Sequence, residues 1–200
     1  TPDGEDFVIV NGDKKFNRAL YGSHTGFRVE TGDVPEFALY LPRMGGNLSF
    51  GIVGDSKVLS LNKAAYIESR YRAGSRIYTI KDPLLGNGCI RITALSMYSA
   101  DGAVFKIETE NIPGNISLTW RFGGAADKRF SREGDLGVDP YDSFELKPEY
   151  CIGNVYLIDR NSFTLKFGKK EPRQLAGIFP TDAKLSVATD FPVLDGKLSI

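Results

Sequence analysis

The feature that most constrains this chain is a period of two that recurs along almost its whole length. Short stretches rich in Val, Ile, Phe, Tyr and Thr alternate or run apolar, and Gly, Asn, Asp or Pro closes each of them. Alternation places every second side chain on one face of an extended chain, so such stretches read as strands. Strands are expected over residues 7–10, 16–20, 26–30, 36–41, 48–53, 57–61, 66–72, 76–80, 89–98, 104–110, 116–122, 154–158, 163–167, 174–179 and 184–188. No window sustains a period of 3.6 with start and stop signals; the nearest, residues 62–72, fits a strand as well. So many strands exceed one simple sheet. The expected fold is all-β, a large antiparallel β-sandwich with very little helix, and a closed barrel is the other way to manage exposed sheet edges.

Turn chemistry supports an antiparallel arrangement, because Asn and Gly tolerate the positive φ that tight turns need. Asn11-Gly12 is expected to join the first two strands, while residues 99–102 and 159–162 read as hairpin turns. Residues 123–142, GGAADKRFSREGDLGVDPYD, break the rhythm and read as one long loop. Loops of that length are either functional or mobile.

Two hundred residues, 42% hydrophobic and 12% aromatic, supply one sizeable core, so residues 1–200 are expected to form one domain. Lys plus Arg (25) equals Asp plus Glu (25), leaving no overall field to hold nucleic acid or an anionic membrane. No apolar run approaches the length of a membrane span. The opening TPDGEDF reads either as what remains after an export signal is removed or as an arbitrary boundary. The final stretch, residues 191–200, stops while still reading as a turn and a strand, which favours a piece of a longer protein.

Chemistry-bearing residues are sparse. His24 is the single histidine, in a turn-like run, and no GxSxG elbow or suitable cysteine context accompanies it. Cys89 and Cys151 match neither a CxxC motif nor close-spaced zinc ligands, and read as separate buried thiols or, in an exported protein, as one disulfide. No metal and no cofactor are expected. The long loop gathers Asp127, Lys128, Arg129, Arg132, Glu133, Asp135, Asp139 and Asp142. It reads as a solvated charged loop or as an interdomain or active-site loop, for which Arg129, Arg132, Asp135 and Asp139 are the candidates. Sugar binding by a sandwich needs exposed aromatic faces. Tyr141 and Tyr150 are candidates for that role. Trp120 shares a strand face with Leu118 and Phe122, and reads as core or as a third sugar-binding residue.

Arg70 to Gly88 has the form RYRxGSxxYxIxDPLLGxG; with Phe16-Asn17-Arg18-Ala19-Leu20-Tyr21-Gly22 and Phe122-Gly123-Gly124 it gives the chain a familiar look. It resembles an uncharacterised N-terminal β-sandwich family that precedes a six-hairpin, (α/α)-barrel glycosidase-like domain in large exported proteins of polysaccharide-degrading bacteria. The resemblance implies a β-supersandwich, similar to those of galactose mutarotases, in a periplasmic or cell-surface protein. It also implies a non-catalytic role beside a C-terminal catalytic domain of the same polypeptide, and carries no catalytic residue over. A free-standing carbohydrate-binding module using exposed aromatics on a poly- or oligosaccharide is the alternative, and a sugar epimerase or lyase is the third reading. Within the familiar run, alternation sets Arg76, Tyr78 and Ile80 on one face, and Asp82-Pro83 starts a turn. Arg70, Arg72 and Arg76 are expected to pair with acids such as Glu68 and Asp82, or to form a docking face.

Overall fold

The computed structural model describes residues 1–54, 57–129, 143–169 and 171–188. In chain order the strands are β1 (Pro2–Asp3), β2 (Asp6–Val10), β3 (Asn17–Leu20), β4 (Arg28–Gly32) and β5 (Glu36–Tyr40). They continue with β6 (Met44–Gly54), β7 (Lys57–Ser60), β8 (Tyr66–Arg72), β9 (Ser75–Lys81) and β10 (Cys89–Ser96). The last five are β11 (Ala103–Glu110), β12 (Ser117–Ala125), β13 (Val155–Asp159), β14 (Ser162–Phe167) and β15 (Arg173–Ile178). Three short 3-10 turns, Leu61–Lys63, Pro83–Leu85 and Pro148–Tyr150, complete the regular structure.

Every pairing is antiparallel, and the strands form three sheets. The first has the order β1-β2-β8-β9-β10-β11, the second β12-β6-β5-β4-β3 with β7 paired to β6, and the third β13-β14-β15. The first two bury their inner faces against each other as a sandwich. Val29, Phe37, Phe50 and Ile52 from the second sheet share one core with Ile67, Tyr78, Ile80, Ile90 and Ile92 from the first. Phe37 lies at the centre, edge-on to Phe105 at 4.8 Å, Tyr78 at 5.6 Å and Phe50 at 6.0 Å between ring centroids.

The third sheet closes over the free edge of β12. Its inner face presents Phe163, Leu165 and Phe167 to Phe122, Trp120 and Ala125, and Tyr156 donates its hydroxyl to the Phe122 carbonyl at 3.2 Å. Trp120 is partly buried and packs: its ring stacks on Phe179 at 3.8 Å and 9°, and touches both cores.

Several expectations are corrected. Asn11-Gly12 does not make a hairpin, because β2 belongs to the first sheet and β3 to the second. Asn11, at φ 48°, ends β2 by letting Ile67 N–H donate to its side-chain oxygen at 2.8 Å. Gly12 then crosses so close to the β4–β5 turn that a Cβ would lie 2.6 Å from Asp33 Cγ. Residues 184–188 form no strand; Leu185 instead packs its side chain under the third sheet. Gly123 and Gly124 belong to β12 and not to a loop, since only a strand without side chains fits beneath Leu146, which would lie 2.7 Å from a Cβ on Gly124.

The familiar run divides its arginines. Arg70 pairs with Asp3, Asp6 and Glu68, and Arg72 with Asp6. Arg76 is buried inside the sandwich, where it donates to the Gly32 carbonyl at 3.1 Å beside the Tyr78 hydroxyl, which donates to the same oxygen at 2.6 Å. Asp82 takes none of the arginines: its two oxygens accept from Leu84 N–H and Ala65 N–H, fixing the Pro83–Leu85 turn.

Candidate functional site: the roofed face of the second sheet

The second sheet turns a polar face away from the shared core. Since Val29, Phe37 and Phe50 point inward, alternation points Arg28, Glu30, Asn47, Ser49, Thr119 and Arg121 outward. Water does not reach most of that face, because residues 143–151 lie across it as a roof. Asn47 donates to the Ser143 carbonyl at 2.7 Å, Phe144 lies over Gly32, and Leu146 and Tyr150 lie over Gly124. The consequence is burial of charge: Arg28 and Glu30 are both buried and bridge at 2.5 Å, with Arg28 also 3.7 Å above the Tyr40 ring. Asn17 completes Glu30 at 3.0 Å, and Glu36 holds Lys14 at 2.8 Å and Asn62 at 2.6 Å.

At the β12 side of this face the satisfaction ends. The side-chain oxygens of Asn47 and Thr119 and the Nε of Arg121 are buried without partners. Burial pushes the Arg121 guanidinium below its ordinary range. Cys151 and Tyr156 sit alongside, and burial pushes the Cys151 thiol up and the Tyr156 hydroxyl up to about 12, so both are neutral at physiological pH. Neither is placed as a nucleophile or base.

Of the sequence candidates, Tyr150 is buried in the roof, where Lys128 donates to its hydroxyl at 2.5 Å and lies 4.4 Å over its ring. Arg129 is exposed. Arg132, Asp135, Asp139 and Tyr141 lie outside the described residues. Cys89 and Cys151 are free thiols.

His24 does not join a nucleophilic centre. Its ring packs edge-on against Tyr98 at 5.9 Å, while the neighbouring Ser23 and Thr25 hydroxyls both donate to Asp101, at 2.8 and 2.5 Å, holding that carboxyl below its usual range. This clasp ties the β3–β4 loop to the β10–β11 turn, and leaves Tyr98 75% exposed at the end of the sandwich. Sequence reasoning missed it because Ser23 and Asp101 are 78 residues apart. A shallow open groove of about 370 Å³ beside Tyr66, Lys81, Pro83 and Asn87 includes Asp82, whose oxygens already serve backbone amides. Among the described residues no group of three or more His, Cys, Asp or Glu could hold a metal ion, and no helix is long and apolar enough to cross a membrane.

Fold and site together define a class: a three-sheet antiparallel β-sandwich whose described polar groups make packing and clasp contacts. The chain belongs to an uncharacterised family described as domain of unknown function DUF4450, whose match spans residues 41–191. No curated protein and no solved structure matches it.

Proposed function

We propose that this chain is the non-catalytic β-sandwich of a larger, exported polysaccharide-degrading protein, and that it docks onto a catalytic (α/α) barrel of the same polypeptide. The observation that carries the reading is the outer face of the third sheet. Leu157 pairs with Thr164 and Thr164 with Ala176, while Ser162 pairs with Ile178, so these residues share one face. Val155 and Leu157 are each 54% exposed and Ile178 is 81% exposed, with Ile152 at 68% in the preceding turn. These apolar side chains stand among Asp159, Ser162, Thr164, Lys166 and Gln174 on the same face; exposed apolar groups gathered on one sheet face favour a contact site, and the opposite face of this sheet packs into the second core. The resemblance of Arg70 to Gly88 supplies the occupant, a helical barrel in the same chain.

An antibody against this domain tests the reading by sizing the native polypeptide in its source cells. A band far above 22.0 kDa is expected; a band at that mass removes the attached barrel. A second reading, a module that binds glycans by itself, is favoured by Tyr98, exposed beside His24 and the Asp101 clasp. A glycan array probed with the chain and with Tyr98→Ala separates the two, since only the second reading expects binding that the substitution removes.

A further inference from the structure

We propose that Arg121 anchors a binding site for a small hydroxylated carboxylate at the β12 side of the roofed face. Arg70, Arg72 and Arg76 each have a named acceptor, and Arg28 has Glu30. Arg121 has none: among the described residues its guanidinium makes no hydrogen bond and no ion pair, and its Nε is buried. Folding takes water from the Nε of this cation, and no described residue replaces it, which is costly and which a ligand would repair.

The surroundings define the chemistry of that ligand. A guanidinium presents a planar fork of donors that matches the two oxygens of a carboxylate, and such paired bonds are strongest where water is scarce. Ser49 stands opposite Arg121 in the ladder, and Thr119 is two residues away on the same face with its hydroxyl buried and unpartnered. Asn47, itself buried, lies diagonally beside Arg121 with its side-chain oxygen unused. Gly123, on the same face, lies under the hydroxyl of Tyr156 and the thiol of Cys151, 3.3 and 3.7 Å from where a Cβ would stand, so a neutral wall bounds the site. One cation beside hydroxyl and amide groups, with no acid among the described residues paired to it, recognises a molecule that carries both a carboxylate and hydroxyl groups, such as a uronic acid. This inference stands independently of the docking reading, because the third sheet's outer face takes no part in it.

The test follows the Arg121 Nε–H resonance and the melting temperature of the whole chain during titration with D-glucuronate, D-glucose and sulfate. Glucuronate should shift the resonance saturably and raise the melting temperature, whereas glucose and sulfate should not. Arg121→Gln should weaken glucuronate binding at least about tenfold, as expected for loss of a charge-assisted pair, while the ligand-free protein melts no lower than the parent. Arg121→Met, which fills the same volume without charge, should melt as high or higher. Absence of a saturable response to glucuronate, an equal response to glucose or sulfate, or a lower ligand-free melting temperature in both variants would overturn the proposal.

Discussion

The outer faces of the first and third sheets differ in the share of exposed apolar residues they carry. On the first, the ladder sets Glu68, Thr79, Arg91 and Glu108 in one row and Arg70, Ile77, Thr93 and Lys106 in the next, a mixed polar surface suited to water. On the third, Val155, Leu157, Ala176 and Ile178 stand among Asp159, Ser162, Thr164, Lys166 and Gln174, a larger apolar share than on the first face, which itself exposes Val10, Leu95 and Val104. Both sheets bury their inner face, so the apolar residues of the third are not needed to complete a core. Exposed apolar side chains of this kind favour a covering partner, which is the ground of the proposed docking role.

The comparison breaks most visibly at Trp120, which joins the third sheet to the main sandwich. Trp120→Ala should cost about 3 to 5 kcal/mol in urea unfolding, since it empties a stack shared by both cores. A loss under about 1 kcal/mol, within the range of a surface substitution, would mean that the third sheet is not held in this way. The next effect lies inside the sandwich. Tyr78→Phe removes the hydroxyl that donates to Gly32 and should cost about 1 kcal/mol. Burial pushes the Tyr78 hydroxyl up to about 12 in the folded chain against an ordinary 10.0, so its contribution is complete below pH 10 and disappears as pH rises towards 12. An alkaline unfolding curve unchanged by Tyr78→Phe would contradict that assignment.

The outer face of the third sheet should respond least in this chain. Leu157→Ser or Ile178→Ser should change stability by under about 0.5 kcal/mol each, as expected for exposed sites, yet in the full polypeptide either change should loosen the sheet against its partner, read as faster proteolysis between the two parts. A large loss in the isolated chain would show that this face is core. A further effect belongs to acid. Hydrogen bonds from Arg72, then Arg70, hold Asp6 at about 2 against an ordinary 3.8. A depressed carboxylate contributes stability that is present above pH 4 and lost as pH falls through 2. Asp6→Asn should flatten the acid limb of the melting profile between pH 4 and 2, and an unchanged profile would remove that pairing.

Much of the fold was legible because strands announce themselves locally. The alternation over residues 66–72 reproduces β8 from end to end, and Asp159-Arg160-Asn161-Ser162 holds the turn of the β13–β14 hairpin, since one short ladder and its turn are decided by neighbours in sequence. Asn11-Gly12 misled for the same reason: its turn chemistry is real, but the choice between pairing and crossing sheets is made by Ile67 and Asp33, far along the chain. Trp120 was placed on the right face, whereas Tyr150 was taken as exposed because nothing local shows that residues 143–151 form a roof. Arg121 was invisible as a site residue, because what singles it out is the absence of an acid partner in space, which no spacing of residues in one chain expresses.

The most direct test of the docking account is covalent footprinting of the native polypeptide, purified whole from its source, alongside this chain alone. Labelling of Ile152, Val155, Leu157 and Ile178 should be strong in the isolated chain and suppressed in the native protein, while Thr93 and Lys106 on the first sheet label equally in both. Equal labelling of the third sheet in both samples would contradict the account, and would leave its apolar outer face without a partner in the polypeptide to which it belongs.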